Sequence, residues 1–544
     1  MNIYCFEMTA LQYWTLGYKI HPINAKGRFL NNCYLPDKKF KLLTWGLSLL
    51  TSERAFMIFS RRLMVKNNFL FSLLLIFFLA LPLNVQSLEN NNENKGLSLA
   101  HQIALTHYTD DLDVLKKKKV IRALVVYSQT DFFFSSNGTP KGLQIDLLNE
   151  YEKHLNIGVK KAANHIRVKY IPTTFERLLP DLREGKGDII ATLLTITPER
   201  KKLINFMSAK KFAVQEVLVS HKSVHNINSL DDLSGREIYV LKGSSYVEHL
   251  KEVNKIFQEK NIEPIIIHEA DPHLSSEDIL ELINSGVTKL TVVDDYKANL
   301  WEQVLPDIRV HKDIVIKKGT HVGWGIRKDN PELQKSLNTF LKKVKMGSYL
   351  GNMFFKRYYK NIKWIKNPNT IRERGKFVKF ISLFEKFGDQ YGFDSLALVA
   401  QGFQESQLNQ SKRSHRGAMG IMQLLPSTAA DKNVGIPDIS KAENNIKAGA
   451  KYLAFLRDRY FSDPAISRLD QMAFSWAAYN AGPAKVRKMR TKAQNMGLDP
   501  NQWFSNVEIA AGKLVGRETV EYVSNIFKYY IAYTLVQEQM ANKK

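Results

Sequence analysis

The sequence predicts an α/β domain followed by an all-α domain, on three observations. Its 544 residues exceed one ordinary domain. Over residues 117–361, short β-rich runs alternate with stretches of helical periodicity, the pattern of βαβ units around a sheet. After "IKNPNT" (365–370) the strand-like runs stop and only helical ones follow, so a linker falls at 362–372 and a second domain occupies 373–544.

Within the first domain, "VIRALVVY" (120–127) reads as a strand, and Leu143, Leu147, Tyr151 and Leu155 recur at helical spacing. "IRVKYI" (166–171) is a second strand, followed by a helix around 175–182 and a third strand in "GDIIATLL". Further strands are expected at "AVQEVLVS", "REIYVL", "EPIIIH", "KLTVVD" and "HVGWGIR", then a helix over 331–344. The second domain runs from "FVKFISLFEKF" to "YVSNIFKYYIAYTLV" without a strand signal.

The N-terminal residues read as a targeting segment. Arg61, Arg62 and Lys66 precede the apolar run "FLFSLLLIFFLALPL" (69–83), and Val85 and Ser87 sit at the small-residue spacing of a signal-peptidase site. The run is short for a membrane span, so a secretory signal cleaved near Ser87 is expected rather than an uncleaved anchor. Residues 1–87 are then extension and signal, and 88–116 an Asn-rich polar lead-in. Cys5 and Cys33 both precede the signal, leaving the exported chain to fold on its cores without disulfides. Residues 1–87 hold ten Lys/Arg and three Asp/Glu, so +18 of the formal +25 remains in the exported part. Such a balance calls for an anionic partner, and export argues against nucleic acid.

In the helical domain, Asp394 is placed to cap a helix, "SLALVAQGFQES", that is apolar on more than one face. Glu405 lies near its end, with Gly402 expected to leave open space beside it. Partial burial would raise the carboxyl pKa and suit it to general acid work, or the side chain would pair with Lys412, Arg413 or Arg416 as a structural ion pair. Gly417, Ala418 and Gly420 follow in a loop able to bring backbone close to a ligand. Tyr479 and Asn480 precede Ala481-Gly482-Pro483, where a helix should end. No metal-ligand spacing occurs and no cofactor is expected.

Four blocks, Glu405-Ser406, Gly420-Ile421-Met422-Gln423, Ala478-Tyr479-Asn480-Ala481-Gly482, and Glu518-Thr519 with Tyr522-Val523, resemble in order the soluble-lytic-transglycosylase family, a branch of the lysozyme-like fold. The resemblance implies non-hydrolytic cleavage of the MurNAc–GlcNAc β-1,4 bond of peptidoglycan. Glu405 would be acid and then base, Tyr479 and Asn480 would hydrogen-bond the glutamate and sugar, and Ser406, Met422, Gln423 and Tyr522 would shape the saccharide cleft. Attack by the substrate's own C6 hydroxyl would explain a solitary carboxylate, since hydrolytic glycosidases place a second one roughly 5–9.5 Å away. Peptidoglycan, a polyanion, then accounts for the basic charge.

The first domain resembles family 3 solute-binding proteins, the two-lobed periplasmic-binding-protein-like fold, through "GDIIATLLTITPERKKLINFMS". The resemblance places Thr195 and Arg200 on a ligand carboxylate, Ser244 of "LKGSSY" among further donors, and Asp294, with Asp295 beside it, on a ligand ammonium. Leu193-Leu194 stand where that family usually has glycine. The order of signal, binding-like domain and transglycosylase domain is similar to the membrane-bound lytic murein transglycosylase F family, implying a periplasmic enzyme attached to the inner face of the outer membrane and regulated by an amino acid or muropeptide. Two rivals stand beside this reading. One is a hydrolytic muramidase using Asp431 or Asp438 as second carboxylate, and the other a ligand-binding receptor whose helical domain only grips glycan.

Overall fold

The computed structural model describes residues 106–207, 213–361 and 374–541. The signal segment ending near Ser87, both cysteines and the 362–372 linker lie outside the described residues. Among those described, no helix is long and apolar enough to cross a membrane.

Strand β1 (Val120–Val125) is buried at every position, Arg122 included, as befits a strand inside a parallel sheet. After it come the short hairpin β2 (Phe133–Phe134) and β3 (Pro140–Lys141), then helix α1 (Leu143–Leu155), which spans the expected stripe. Parallel partners flank β1, β4 (Arg167–Pro172) on one side and β5 (Ile189–Thr195) on the other. Fully buried Arg122 and Asp188 form an ion pair beneath them at 2.7 Å, joined by Arg327 at 3.1 Å.

The chain leaves this lobe after β6 (Asn205–Met207), and the second lobe holds β7 (Ala213–His221), β8 (Glu237–Val240), β9 (Ile266–Glu269) and β10 (Leu290–Asp294). Helix α2 (Ser245–Glu259) packs here, as does α3 (Ser276–Asn284), which a complete capping box at Ser275 and Asp278 starts. Strand β11 (Ile308–Ile326) is far longer than its expected seven residues. It pairs first with β7 in the second lobe and finally with β5 and β6 in the first, giving the order β10-β7-β11-β5-β1-β4. Three register shifts between His311 and Thr320 let it bend as it crosses. Helix α4 (Pro331–Val344) follows as expected, then α5 (Tyr349–Tyr359), which buries Phe354, Tyr358 and Tyr359.

The remainder is helical: α6 (Arg374–Tyr391), α7 (Ser395–Ser406), α8 (Ala442–Tyr460), α9 (Arg468–Ala481), α10 (Pro483–Asn495), α11 (Glu508–Val515) and α12 (Arg517–Ala541). Its core gathers around Phe384, Phe474, Trp476 and Trp503. Leu274, Leu282 and Val287 of the α/β domain belong to that same apolar cluster, and Ile509 of α11 joins the core of the first lobe.

Two polar or steric devices reinforce this docking. Lys528 on α12 is 3% exposed and donates to Glu281 Oε2 at 2.5 Å, with Asp278 Oδ1 at 3.2 Å, both acids being on α3. The β2–β3 hairpin meets α11 backbone to backbone. A Cβ on Gly512 would lie 2.3 Å from the Phe134 ring, one on Gly138 2.7 Å from the Gly512 carbonyl oxygen, and one on Gly516 2.2 Å from that of Ser136. None of these distances admits a side chain.

Candidate active site

Helix α7 is built as its sequence suggests. The Asp394 carboxylate accepts from the Leu396 and Ala397 amides at 2.9 and 3.0 Å, and every residue from Leu396 to Phe403 is buried. Gly402 departs from expectation. The space beside it is filled, since a Cβ there would meet Ile421, Phe384 and Leu408 at 3.1–3.2 Å. The glycine serves close packing of α7 on α6 and the following loop.

Glu405 sits in the last turn of α7, half-buried. Burial pushes its carboxyl pKa up to about 7, while the Tyr522 hydroxyl and the Lys412 charge pull the other way. Tyr522 projects from α12 and donates to Glu405 Oε1 at 2.5 Å. Burial, and next the charge of Glu405, hold the Tyr522 phenol well above its ordinary range, so it stays a donor. Among the described residues no lysine or arginine forms an ion pair with Glu405. Lys412 Nζ donates instead to the Glu405 carbonyl oxygen at 2.7 Å, and Arg413 to the carbonyls of Gln410 and Lys412. That leaves the carboxylate with a phenol rather than a cation, which preserves a raised pKa.

The partner expected for Glu405 is therefore corrected. Tyr479 and Asn480 do end α9 ahead of Gly482, but the Tyr479 hydroxyl donates to the Met422 carbonyl at 2.8 Å and Asn480 Oδ1 accepts from Thr519 at 2.9 Å. Tyr479 remains close enough for the Glu405 charge to raise its own pKa. Asn480 is exposed, beside Tyr522 in the wall of a cavity described below.

Ser406 and Met422 do not line a cleft: they are 3% and 0% exposed. The Ser406 hydroxyl donates to the Ile421 carbonyl at 2.8 Å, tying the end of α7 to the loop. Met422 packs into the notch left by Gly449 on α8. Gln423 has φ 45° and is half-buried, its amide donating to the carbonyls of Gly420 and Lys412. The loop is thus braced from within, and one residue does most of it. Asn445 on α8, buried, accepts from the Met422 amide at 2.8 Å and donates to the Met419 carbonyl at 2.9 Å. Gly420 (φ 79°) allows this approach, since a Cβ there would lie 2.5 Å from Asn445. The sequence signal for Asn445 is an asparagine on the buried face of a long helix. Gly417, by contrast, has nothing within 4 Å of where a Cβ would stand.

Neither rival carboxylate acts on Glu405. Asp431 and Asp438 lie on exposed turns and accept from their own neighbours Asn433 and Ser440, which lowers both pKa values. A cavity of about 1070 Å³ opens beside the site. Gln404, Asn480 and Tyr522 line one side, and Phe133, Lys141 and Tyr358 of the α/β domain line the other.

In the α/β domain, Thr195, Ser244 and Asp294 converge on a small cavity of about 40 Å³. Ser244 Oγ and Asp294 Oδ1 are buried there without a hydrogen bond, and burial, then Glu216, pushes the Asp294 carboxyl up to about 7. Arg200 does not join them. Its guanidinium donates to the carbonyls of Thr195 (2.9 Å) and Gly243 (3.0 Å) and lies 3.5 Å from Glu248 of α2, so its fork is spent within the protein. Gly243 and Glu248 belong to the opposite lobe, so Arg200 fastens the two lobes together.

Comparison with known families agrees with both halves of this architecture. Residues 121–357 match the bacterial extracellular solute-binding proteins, family 3, and residues 382–502 match the transglycosylase SLT domain. The "membrane-bound lytic murein transglycosylase F" of Desulfosudis oleivorans is 29% identical over 72% of this chain and 85% of its own. Over most of its length the chain is similar to proteins of the membrane-bound lytic murein transglycosylase F family. Other relatives bearing that name, from Pseudomonas fluorescens and Maricaulis maris, are 25% and 26% identical over 78% and 77% of this chain and 87% and 91% of theirs. Among solved structures, an ancestral arginine-binding protein bound to arginine matches 44% of the chain and 98% of its own at 25% identity, with a TM-score of 0.37. The matched SLT stretch ends before Tyr522, so the partner of Glu405 comes from outside it.

Proposed function

We propose that the protein is a peptidoglycan lytic transglycosylase whose helical domain cleaves the MurNAc–GlcNAc β-1,4 bond and leaves 1,6-anhydromuramic ends. The observation that carries this is the half-buried carboxyl that ends α7, pushed up to about 7 and held by a phenol rather than a cation. Protonated Glu405 gives its proton to the glycosidic oxygen as the C1–O bond breaks. The resulting carboxylate then takes the C6 hydroxyl proton as O6 closes on C1. The hydroxyl is already tethered to the reacting ring, so no water need be positioned. Tyr522 fixes the carboxyl and tempers its pKa. Asn480, exposed in the cavity wall, is the polar group offered to sugar, and Gln423, Tyr479, Ser406 and Met422 support the site through the loop. Mass spectrometry of digested sacculi tests the reading, since anhydro ends weigh one water less than hydrolysed ends. Reducing MurNAc ends as the main product would sink it.

The free enzyme must hold Glu405 protonated, so kcat/KM should fall as pH rises through about 7. Tyr522→Phe removes a bond that favours the carboxylate, so this falling limb should move to higher pH as the rate drops. An unmoved limb would show that Tyr522 does not act on the titrating group.

We further propose that the α/β domain is regulatory, taking an amino acid or muropeptide at Thr195, Ser244 and Asp294. The unpartnered Ser244 and Asp294 oxygens support a ligand, whereas the engaged Arg200 and a cavity of about 40 Å³ require the lobes to part before it enters. Calorimetric titration of the full chain with cell-wall peptides should show binding strengthened in Glu248→Gln, where the latch is loosened. No heat with either protein removes this role. We also propose that the chain works in the periplasm at the inner face of the outer membrane, its signal cleaved near Ser87; the relatives' membrane-bound name supports the membrane association.

A further inference from the structure

The cavity beside Glu405 is walled on one side by the α/β domain, and its charges are distributed in a telling way. Most are neutralised locally. Arg357 pairs with Asp146 at 2.5 Å, Arg517 with Glu521, and Glu281 with Lys528. The side chains of two charged residues lining the same cavity have no ion pair or hydrogen bond among the described residues, and both residues are exposed: Lys141 on the α/β wall and Glu518 on the helical wall. One is cationic and the other anionic, and they belong to opposite domains. Lys141 closes the β2–β3 hairpin, whose other end is seated on α11 through Gly138, Gly512 and Gly516. That seam holds Lys141 on the wall facing the helical domain.

We propose that this face of the α/β domain is the second wall of the glycan cleft and reads the stem peptide, Lys141 meeting a peptide carboxylate and Glu518 a peptide ammonium. Neutral sugar offers neither charge, whereas a stem peptide carries both on a short chain. The proposal rests on the lytic reading above and adds the part of the substrate that the non-catalytic domain contacts.

The test compares the KM of the full-length protein on peptide-bearing glycan strands with that on strands stripped of peptide by an amidase. For Lys141→Glu and for Glu518→Gln, the ratio of the first KM to the second should rise about three- to fivefold, the range of one exposed ion pair. A ratio unchanged from wild type, or equal losses on both substrates, overturns the proposal. Failure of the lytic reading is distinguishable, because wild-type protein would then release no anhydro-ended product from either substrate.

Discussion

Glu405→Gln should lower release of anhydro-ended muropeptides by about 10³-fold or more while sacculus binding persists. General acid catalysis contributes roughly 10²–10⁴-fold, and here one group supplies both proton transfers. The amide keeps the volume of the carboxyl and can still accept from Tyr522, but it has no proton to give. The substitution also carries a stability signature. The folded pKa of Glu405, about 7, lies above the ordinary carboxylate value, so the fold disfavours the ion. Wild-type stability is then eroded as pH rises from the unfolded pKa through about 7, and the Gln variant escapes that loss. The Tm of the variant relative to wild type should therefore increase between about pH 5 and pH 8. A receptor that only grips glycan predicts unchanged function on the same substitution.

Lys528→Met should destabilise the docked protein by roughly 3–5 kcal/mol, because it leaves Glu281, 3% exposed, without its cation. Urea unfolding of the full chain measures it. Adding Glu281→Gln should recover part of the loss, since a neutral amide tolerates the site that a lone carboxylate does not. The effect should reach catalysis as well. Lys528 and Tyr522 lie on one helix less than two turns apart, and α12 is held from the α/β side by Lys528 and from the active-site side by Tyr522. A looser α12 should lower kcat more than it raises KM. Full stability together with full kcat in Lys528→Met would show that the ion cluster is incidental.

What could be read in the sequence was local. The cap at Asp394, the end of α9 before Gly482 and the alternation that made the first domain α/β all depend on residues a few positions apart. The position of Glu405 was legible for the same reason, as a carboxyl ending an apolar helix, whereas its catalytic role was implied only by the resemblance of the four blocks. Its partner was not, because Tyr522 comes from 117 positions away and no spacing rule links the two helices. The reading of Gly402 failed in an instructive way: a glycine signals close approach, and only the packed structure tells whether a ligand or Ile421 fills the gap. Arg200 shows the limit of a matched motif. The residue is where the pattern puts it, but Gly243 and Glu248 of the opposite lobe have taken its donors.

The glycine seam between the hairpin and α11 bears on how such a chain can change over generations. With backbone against backbone at Gly138, Gly512 and Gly516, a foreign hairpin or a foreign α11 carrying any side chain at these places would hold the domains apart. A chimaera that takes either half from a distant relative should therefore dock only if it keeps small residues at these three places. Lys141, a few residues from the seam and exposed, can be substituted without placing an atom in it. New preferences for cell-wall chemistry can therefore arise there without disturbing the joint that holds the wall in place.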